Sequence, residues 1–322
     1  MIPIIKPIDR KLIKKELTPD KWIRTTRKGE NELYEITYSD SPNTMSEIGR
    51  LREMSFRMSG GGTGKETDID RYDTDGKDAY RQLIVWDPND EEIIGGYRYI
   101  LCGGVNPEKM ATRELFGFSG KFISDYLPFT IELGRSFIQP NYQSTNIRRK
   151  GLYALDNLWD GLGALMLKYD NYRYFFGKVT MYTSYNYKAR NTLLNFLNKY
   201  FHDDEGLVTP IVPLDFDSGN KYYLELFRDL DYREAYKVLQ KEIKNNGEFI
   251  PPLINSYMNL SPSMKVFGTA VNEGFGGVEE TGILVNMRDI YPEKLDRHLK
   301  PLKDRLSSIT SKLKPKWWKK SL

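Results

Sequence analysis

The residues whose setting is most suggestive of chemistry are Glu132 and Arg135. They stand in Ile131-Glu132-Leu133-Gly134-Arg135-Ser136-Phe137-Ile138-Gln139-Pro140-Asn141-Tyr142. With Phe129 leading in, the apolar residues Ile131, Leu133, Phe137 and Ile138 predict a strand, and Pro140 ends it. A charge taken out of water is costly unless paired, so an acid and a base inside an apolar strand need partners or a task. One reading is a structural ion pair at a strand end. The other is a carboxylate poised to take a proton, with a cation to orient it.

The flanking elements decide what such a pair could face. Upstream, Asn43 to Met58 predicts a helix with Met45, Ile48, Leu51, Met54 and Phe56 on one side, and it carries Arg50, Arg52 and Arg57. The glycine-rich segment from Ser59 to Thr67 is not a phosphate-binding P-loop: Ser59 stands where a glycine is needed, Glu66 follows Lys65, and a helix rather than a strand precedes it. Asp68-Ile69-Asp70-Arg71-Tyr72-Asp73 predicts a solvated acidic loop, with too short a ligand series for calcium. Gln82–Asp87 and Glu92–Leu101 form a hairpin in which Arg98 alternates with the apolar face. A phenylalanine-rich insertion of helix and loop occupies residues 107–127.

Downstream, Arg148-Arg149-Lys150-Gly151 opens a helix whose buried side includes Leu155, Leu158, Trp159, Leu162 and Leu165. A strand (Phe175–Tyr185), a helix (Asn186–Tyr200), a strand (Lys221–Leu226), a helix through Tyr236, Leu239 and Ile243, a helix from Phe249 to Leu260 and glycine-rich strands between Gly268 and Val285 follow. This order is that of an α/β protein with a sheet of mixed direction. The expected division is a basic arm over 1–30, one domain over 31–293 and a basic amphipathic tail over 294–322.

Size and charge narrow the setting. The chain of 322 residues is 39% hydrophobic and 29% charged, has no apolar run long enough to span a bilayer, shows no signal-peptide shape and has one cysteine, Cys102. These features favour the cytoplasm. The total charge of +4 is uneven: residues 1–30 carry +5 and residues 294–322 carry +8, which leaves −9 for residues 31–293. Leucines and isoleucines recur from Leu295 to Leu313 at helical spacing, and Trp317-Trp318 follow among lysines. That pattern suits an anionic membrane surface, with packing on the core as the alternative. A nucleic-acid partner is not expected, since only the ends are basic and no recognition motif is present. His202 and His298 are expected at the surface, and no metal is called for.

The Arg148-x-x-Gly151 turn before a helix resembles the acyl-carrier turn of the GNAT acyltransferases, where helix amides and flanking cations hold a phosphate, although Tyr153 takes the place of the usual Gly or Ala. The ordered series Arg52, Asp70, Asp73, Arg98, then Glu132-Leu133-Gly134-Arg135-Ser136 with Pro140-x-Tyr142, resembles the acyl-homoserine-lactone synthases. It is closer still to their relatives that make ornithine and glycine lipids, whose P-P-L-hydrophobic-x-x-Y segment is matched by Pro251 to Tyr257. The resemblance spans residues 33–290. It implies a GNAT-like fold, a mostly antiparallel mixed sheet flanked by helices, with a C-terminal extension. It also implies transfer of an acyl group, as a 3-hydroxyacyl chain, to the α-amine of an amino acid. The donor would be the 4'-phosphopantetheine thioester of acyl carrier protein, a coenzyme A thioester being the other choice, with no bound cofactor. Glycine and ornithine both remain open as acceptors, with a slight preference for glycine that no physical argument supports.

In that setting Glu132 would take the amine's proton and Arg135 would orient it or hold the acceptor's carboxylate. Asp70 and Asp73 would grip the ammonium, and Arg52 and Arg98 the carboxylate or the acidic loop. The backbone from Ser136 through Phe137 to Ile138 would meet the oxyanion and pantetheine, and Arg148 and Gly151 the phosphate. The His-x4-Asp motif of the O-acyltransferases that complete such lipids is absent, since Leu207 and Lys303 stand five residues after the histidines. The competing readings are a homoserine-lactone signal synthase and an inactive, membrane-binding protein of the same fold. A peripheral location at the inner membrane face follows from the tail.

Overall fold

The computed structural model describes residues 1–143 and 153–297. Its centre is an eight-stranded sheet built from β1 (Trp22–Thr25), β2 (Glu32–Ile36), β3 (Arg81–Asp87), β4 (Glu92–Leu101), β6 (Thr130–Ile138), β7 (Tyr174–Met181), β9 (Lys265–Asn272) and β10 (Val278–Asn286). Two short strands, β5 (Phe116–Phe118) and β8 (Val208–Pro210), pair apart from it. The order across the large sheet is β1-β2-β3-β4-β6-β7-β10-β9. Every neighbouring pair is antiparallel except β6 and β7.

Alternation along the strands sends successive side chains to opposite faces. Leu33, Leu83, Val85, Tyr97, Tyr99, Ile131, Phe175, Val179, Ile283 and Val285 face one way. They are covered by α4 (Ala154–Lys168), α5 (Tyr187–Tyr200), α7 (Tyr232–Asn245) and α8 (Pro252–Met258). The other face is divided. Ile36, Ile84, Trp86 and Ile93 lie under α1 (Arg10–Glu16) and α2 (Pro42–Met58). Ile100, Phe176, Phe267 and Leu284 lie under the insertion, against Met110, Phe116 and Phe122. Between these two apolar clusters runs a seam of polar side chains, and the candidate site occupies it.

The parallel pair within the large sheet borders the polar seam. β6 and β7 are in register only from Thr130↔Tyr174 to Leu133↔Gly177, although the strands run on to Ile138 and Met181. Beyond that last rung they diverge, and the edge of β6 facing β7 is without a ladder partner from Gly134 onward. The last rung itself requires a glycine: a Cβ on Gly177 would lie 2.6 Å from the Leu133 carbonyl oxygen. On its other edge β6 has a bulge against β4, with Gly96↔Phe137 on one side and Arg98↔Gly134 on the other. Arg135 sits in the bulge at φ 52°, a left-handed backbone that a non-glycine residue adopts only under constraint.

Three expectations are corrected. Residues 1–30 are not a detached arm, because β1 pairs with β2 and Ile13 and Leu17 are buried against α2. Glu16 also accepts hydrogen bonds from the backbone N–H groups of Asn43 (3.0 Å) and Thr44 (2.8 Å), capping α2. Residues Lys221–Leu226 are a helix (α6), not a strand: the side chain of Asn220 accepts from the N–H of Tyr222 at 2.9 Å, and Tyr223 and Phe227, four residues apart, are the buried pair. The expected start of the tail at 294 does not separate from the domain either, since Leu295 packs on the core and Arg297 pairs with Asp156. A very short strand or helix carries too few residues for periodicity to tell them apart, and edge segments show their partners only once the sheet exists. Residues 298–322 lie outside the described residues.

Candidate active site

The acidic loop is buried. Asp68 and Asp73 are enclosed, and only Asp70, at 26% side-chain exposure, opens to solvent. Asp70 and Asp73 form a reciprocal cap on the short helix α3 (Arg71–Thr74): Asp70 accepts from the N–H of Tyr72 at 2.9 Å, and Asp73 from that of Asp70 at 3.2 Å. Three guanidinium groups converge on the loop. Arg52 of α2 is wholly buried and donates to both Asp73 oxygens at 3.2 Å and to Gln82. Arg98 of β4 reaches Asp70 at 2.6 Å and Asp73 at 3.2 Å. Arg135, aimed by the bulge, has Nε 2.9 Å from Asp68 and Nη2 3.7 Å from Asp70, and its guanidinium lies 4.1 Å from the centre of the Phe275 ring.

These contacts set the protonation states. Burial raises the Asp73 carboxyl, but Arg52 and Arg98 overcome it and hold the group below the ordinary carboxylate range. Burial prevails at Asp68, whose carboxyl is raised despite Arg135. Glu132 is 1% exposed, and its carboxyl is likewise raised by burial. That shift is opposed by the hydroxyl of Tyr80, which donates to it, and by Thr112, whose N–H donates to it at 2.8 Å and whose side chain acts in the same direction. The Tyr80 oxygen in turn accepts from the N–H of Ala111 at 2.9 Å. Opposite Glu132, Lys178 of β7 pairs with Glu280 of β10 at 2.7 Å. Burial raises Glu280, and Lys178 and Asn272 more than compensate, leaving it lowered.

Two clefts meet at the diverging strands. The polar one lies in the seam and is lined by Asp70, Tyr80, Arg98, Thr112, Glu132 and Lys178 among others. The second opens on the opposite face of the sheet and is apolar, with Leu158, Trp159, Leu162, Phe175, Val179 and Tyr257 in its wall. Leu133, Gly134, Arg135, Ser136, Lys178 and Leu253 belong to both. Alternation along β7 explains the division: Phe175 and Val179 point to one side, Lys178 and Thr180 to the other. Pro251, Pro252 and Leu253 form the lip of the polar cleft, and Tyr257 on α8 packs edge-on against Trp159 with ring centroids 5.5 Å apart.

A sequence family described as an acetyltransferase (GNAT) domain matches residues 51–150. Over 304 residues the chain is 52% identical to a glycine N(alpha)-acyltransferase of Phocaeicola vulgatus, covering 93% of each chain. It is also 52% identical over 304 residues to one of Bacteroides thetaiotaomicron, covering 93% of this chain and 90% of the relative. The chain belongs to this family of GNAT N-acyltransferases. A crystal structure of the acyl-homoserine-lactone synthase LasI overlaps 41% of this chain and 64% of its own at 15% identity, with a TM-score of 0.27.

The structure brings together some of the expected residues and separates others. Glu132, Arg135, Asp70 and Arg98 gather at the polar cleft, as does Ser136, which is exposed there. Arg52 and Asp73 do not reach it: both are sealed beneath the loop, so they hold Asp70 and Arg98 in place and have no free face for an ammonium or carboxylate. Phe137 turns into the core under α2, and Ile138 stands beyond the wall of either cleft, so neither side chain meets a pantetheine arm. Arg148 and Gly151 lie outside the described residues. Sequence reasoning missed Lys178 and Glu280, which carry the same signature as Glu132, a charge inside an apolar strand. It also missed Tyr80 and Thr112, for which no local signal exists.

The raised Glu132 carboxyl gives a signed expectation. A carboxyl whose folded value lies above its unfolded one contributes stability that is fully present below the ordinary glutamate range and is lost as pH rises through the folded value. In Glu132→Gln, turnover should fall by about 10²–10⁴-fold, the usual worth of a general base. The acid limb of wild-type kcat/KM should lie above the ordinary glutamate range, and the variant's stability relative to wild type should improve as pH rises; a pH–rate profile and urea unfolding at several pH values check both.

Asp73 and Asp70 should separate in experiment. Asp73→Asn leaves two buried guanidinium groups under-compensated and should cost about 3–5 kcal/mol in urea unfolding. Asp70→Asn, at the mouth of the cleft, should cost less stability and raise the acceptor's KM.

Proposed function

We propose that the protein is a glycine N-acyltransferase using an acyl carrier protein thioester, at the first step of aminolipid synthesis. The single observation that carries this reading is the pair of clefts on opposite faces of the sheet, joined where β6 and β7 part. A thioester placed in the gap has its acyl chain against the apolar wall and its carbonyl beside the open edge of β6. The acceptor approaches from the polar side. The glycine acceptor rests on the names of the two relatives.

Asp70 receives the ammonium at the mouth of the cleft, and Glu132 takes its proton directly or through one water. The free amine attacks the thioester carbonyl. An N–C bond forms, the C–S bond breaks, and the pantetheine sulfur leaves as a thiolate that takes up the proton shed by the nitrogen as the amide forms. Negative charge on the carbonyl oxygen is met by the unladdered backbone of Gly134–Ser136 and the neighbouring Arg135. Tyr80 and Thr112 fix the Glu132 carboxyl against rotation.

Purified protein with 3-hydroxyacyl carrier protein and glycine should give N-acylglycine by mass spectrometry. No acylation of any amino acid would reject the reading; acylation of ornithine alone would replace the acceptor, and turnover with acyl-coenzyme A alone would replace the donor.

The basic residues beyond 297 are proposed, from their sequence, to bring the enzyme to an anionic membrane where an amphiphilic product can leave. Deleting 301–322 should abolish co-sedimentation with anionic vesicles; retained sedimentation would place the membrane contact elsewhere.

A further inference from the structure

Tyr257 of α8 stands in the wall of the apolar cleft, and its hydroxyl has no hydrogen-bond partner among the described residues. Burial alone pushes that hydroxyl up to about 12, with no ion or hydrogen bond acting on it. Three other polar side chains of the same wall are committed. The Tyr97 hydroxyl donates to the Leu158 carbonyl at 3.2 Å, Arg135 is paired with Asp68, and Lys178 with Glu280. A hydroxyl withdrawn from water without a partner is costly, so one kept in an apolar wall points to a ligand group that meets it.

We propose that the Tyr257 hydroxyl hydrogen-bonds a hydroxyl at C3 of the acyl chain and so selects 3-hydroxyacyl donors over unsubstituted ones. The proposal rests on the acyl-transfer reading above and assigns the part of that site which reads the donor. Its geometry follows from α8 and the bulge. Leu253, one helical turn before Tyr257, lines both clefts and so marks their junction; four residues are about 6 Å along the helix. A helical side chain leans toward the N-terminus of its helix, so the Tyr257 ring leans back toward Leu253. Trp159 holds the ring from the side, with centroids 5.5 Å apart and 69° between the planes. On the sheet side, a charge on Tyr257 would be felt by Tyr97. Tyr97 lies in β4 between the rungs Gly96↔Phe137 and Arg98↔Gly134, across from the bulge that presents the open edge of β6.

C3 is two bonds beyond the reacting carbonyl, so a substituent there enters the apolar wall at its start, where the Tyr257 ring leans. A plain alkyl chain gives a tyrosine hydroxyl nothing to bind. A hydroxyl on the chain both donates and accepts, as tyrosine does. An unsubstituted chain would displace water from the wall and leave the Tyr257 oxygen unpaired, a penalty that a 3-hydroxyacyl chain escapes. Tyr257 closes the Pro251–Tyr257 segment, and this gives the segment two tasks: Pro251 to Leu253 shape the lip, and Tyr257 reads the chain.

The test uses the full chain with saturating glycine, comparing wild type and Tyr257→Phe on a 3-hydroxyacyl carrier protein and on the unsubstituted acyl carrier protein of the same chain length. Wild type should prefer the 3-hydroxyacyl donor in kcat/KM by about tenfold or more, the order expected for leaving one buried hydroxyl unpaired. Tyr257→Phe should lower that preference by about tenfold, with the loss falling on the hydroxylated donor. Its melting temperature should match or exceed that of wild type, because the hydroxyl has no protein partner to lose. A wild type indifferent to the 3-hydroxyl overturns the assignment. So does a preference unchanged in Tyr257→Phe, whether or not both rates fall, since an equal loss is the mark of a packing role. Wild-type turnover is the control: none with either donor would defeat the acyl-transfer reading itself, whereas turnover with an unchanged preference defeats only the role of Tyr257.

Discussion

Three guanidinium groups facing three carboxylates hold this molecule's candidate site together. Arg52 comes from α2, Arg98 from β4, Arg135 from β6, and Asp68, Asp70 and Asp73 from one loop. Burying four of these six groups, Arg52, Arg98, Asp68 and Asp73, gives no assurance of net stability, because desolvation offsets most of the attraction. What it does give is geometry: removing any member strands another, so the loop, the helix and both strands have one arrangement that satisfies all of them. The left-handed backbone at Arg135 persists for the same reason, with Asp68 and the Phe275 ring holding the side chain that the bulge redirects.

The second constraint is the divergence of β6 and β7. A sheet that stayed paired would seal one face from the other. Here the ladder stops at Leu133↔Gly177, and the alternation of β7 gives the opening a polar side and an apolar side. An N-acyltransferase can use both, an apolar wall for the acyl group and a polar wall for the amine. Keeping them on opposite faces of the sheet holds the charged network apart from the apolar wall.

Much of this was legible in the chain. The helix bearing Arg52, the hairpin bearing Arg98, the strand bearing Glu132 and Arg135 and the helix after Gly151 were each marked by long periodic runs. The pairing of acid and base inside an apolar strand flagged the site itself. The expected ion pair between the two is not formed: Arg135 is bound to Asp68 and Asp70 rather than to Glu132, and Glu132 answers to Tyr80 and Thr112. The loop of aspartates misled because its composition is that of a solvated turn. Nothing local shows that three arginines from distant segments will cover it.

By itself, the sequence determined which residue types were available, the elements that carry them and the family to which their order belongs, because periodicity and motif order are local or linear properties. The tertiary structure alone decided which of those residues face the cleft. Burial and pairing depend on contacts between segments tens of residues apart, and these sealed Asp73 and Arg52 beneath the loop, left Asp70 at its mouth and set Thr112 and Tyr80 against Glu132.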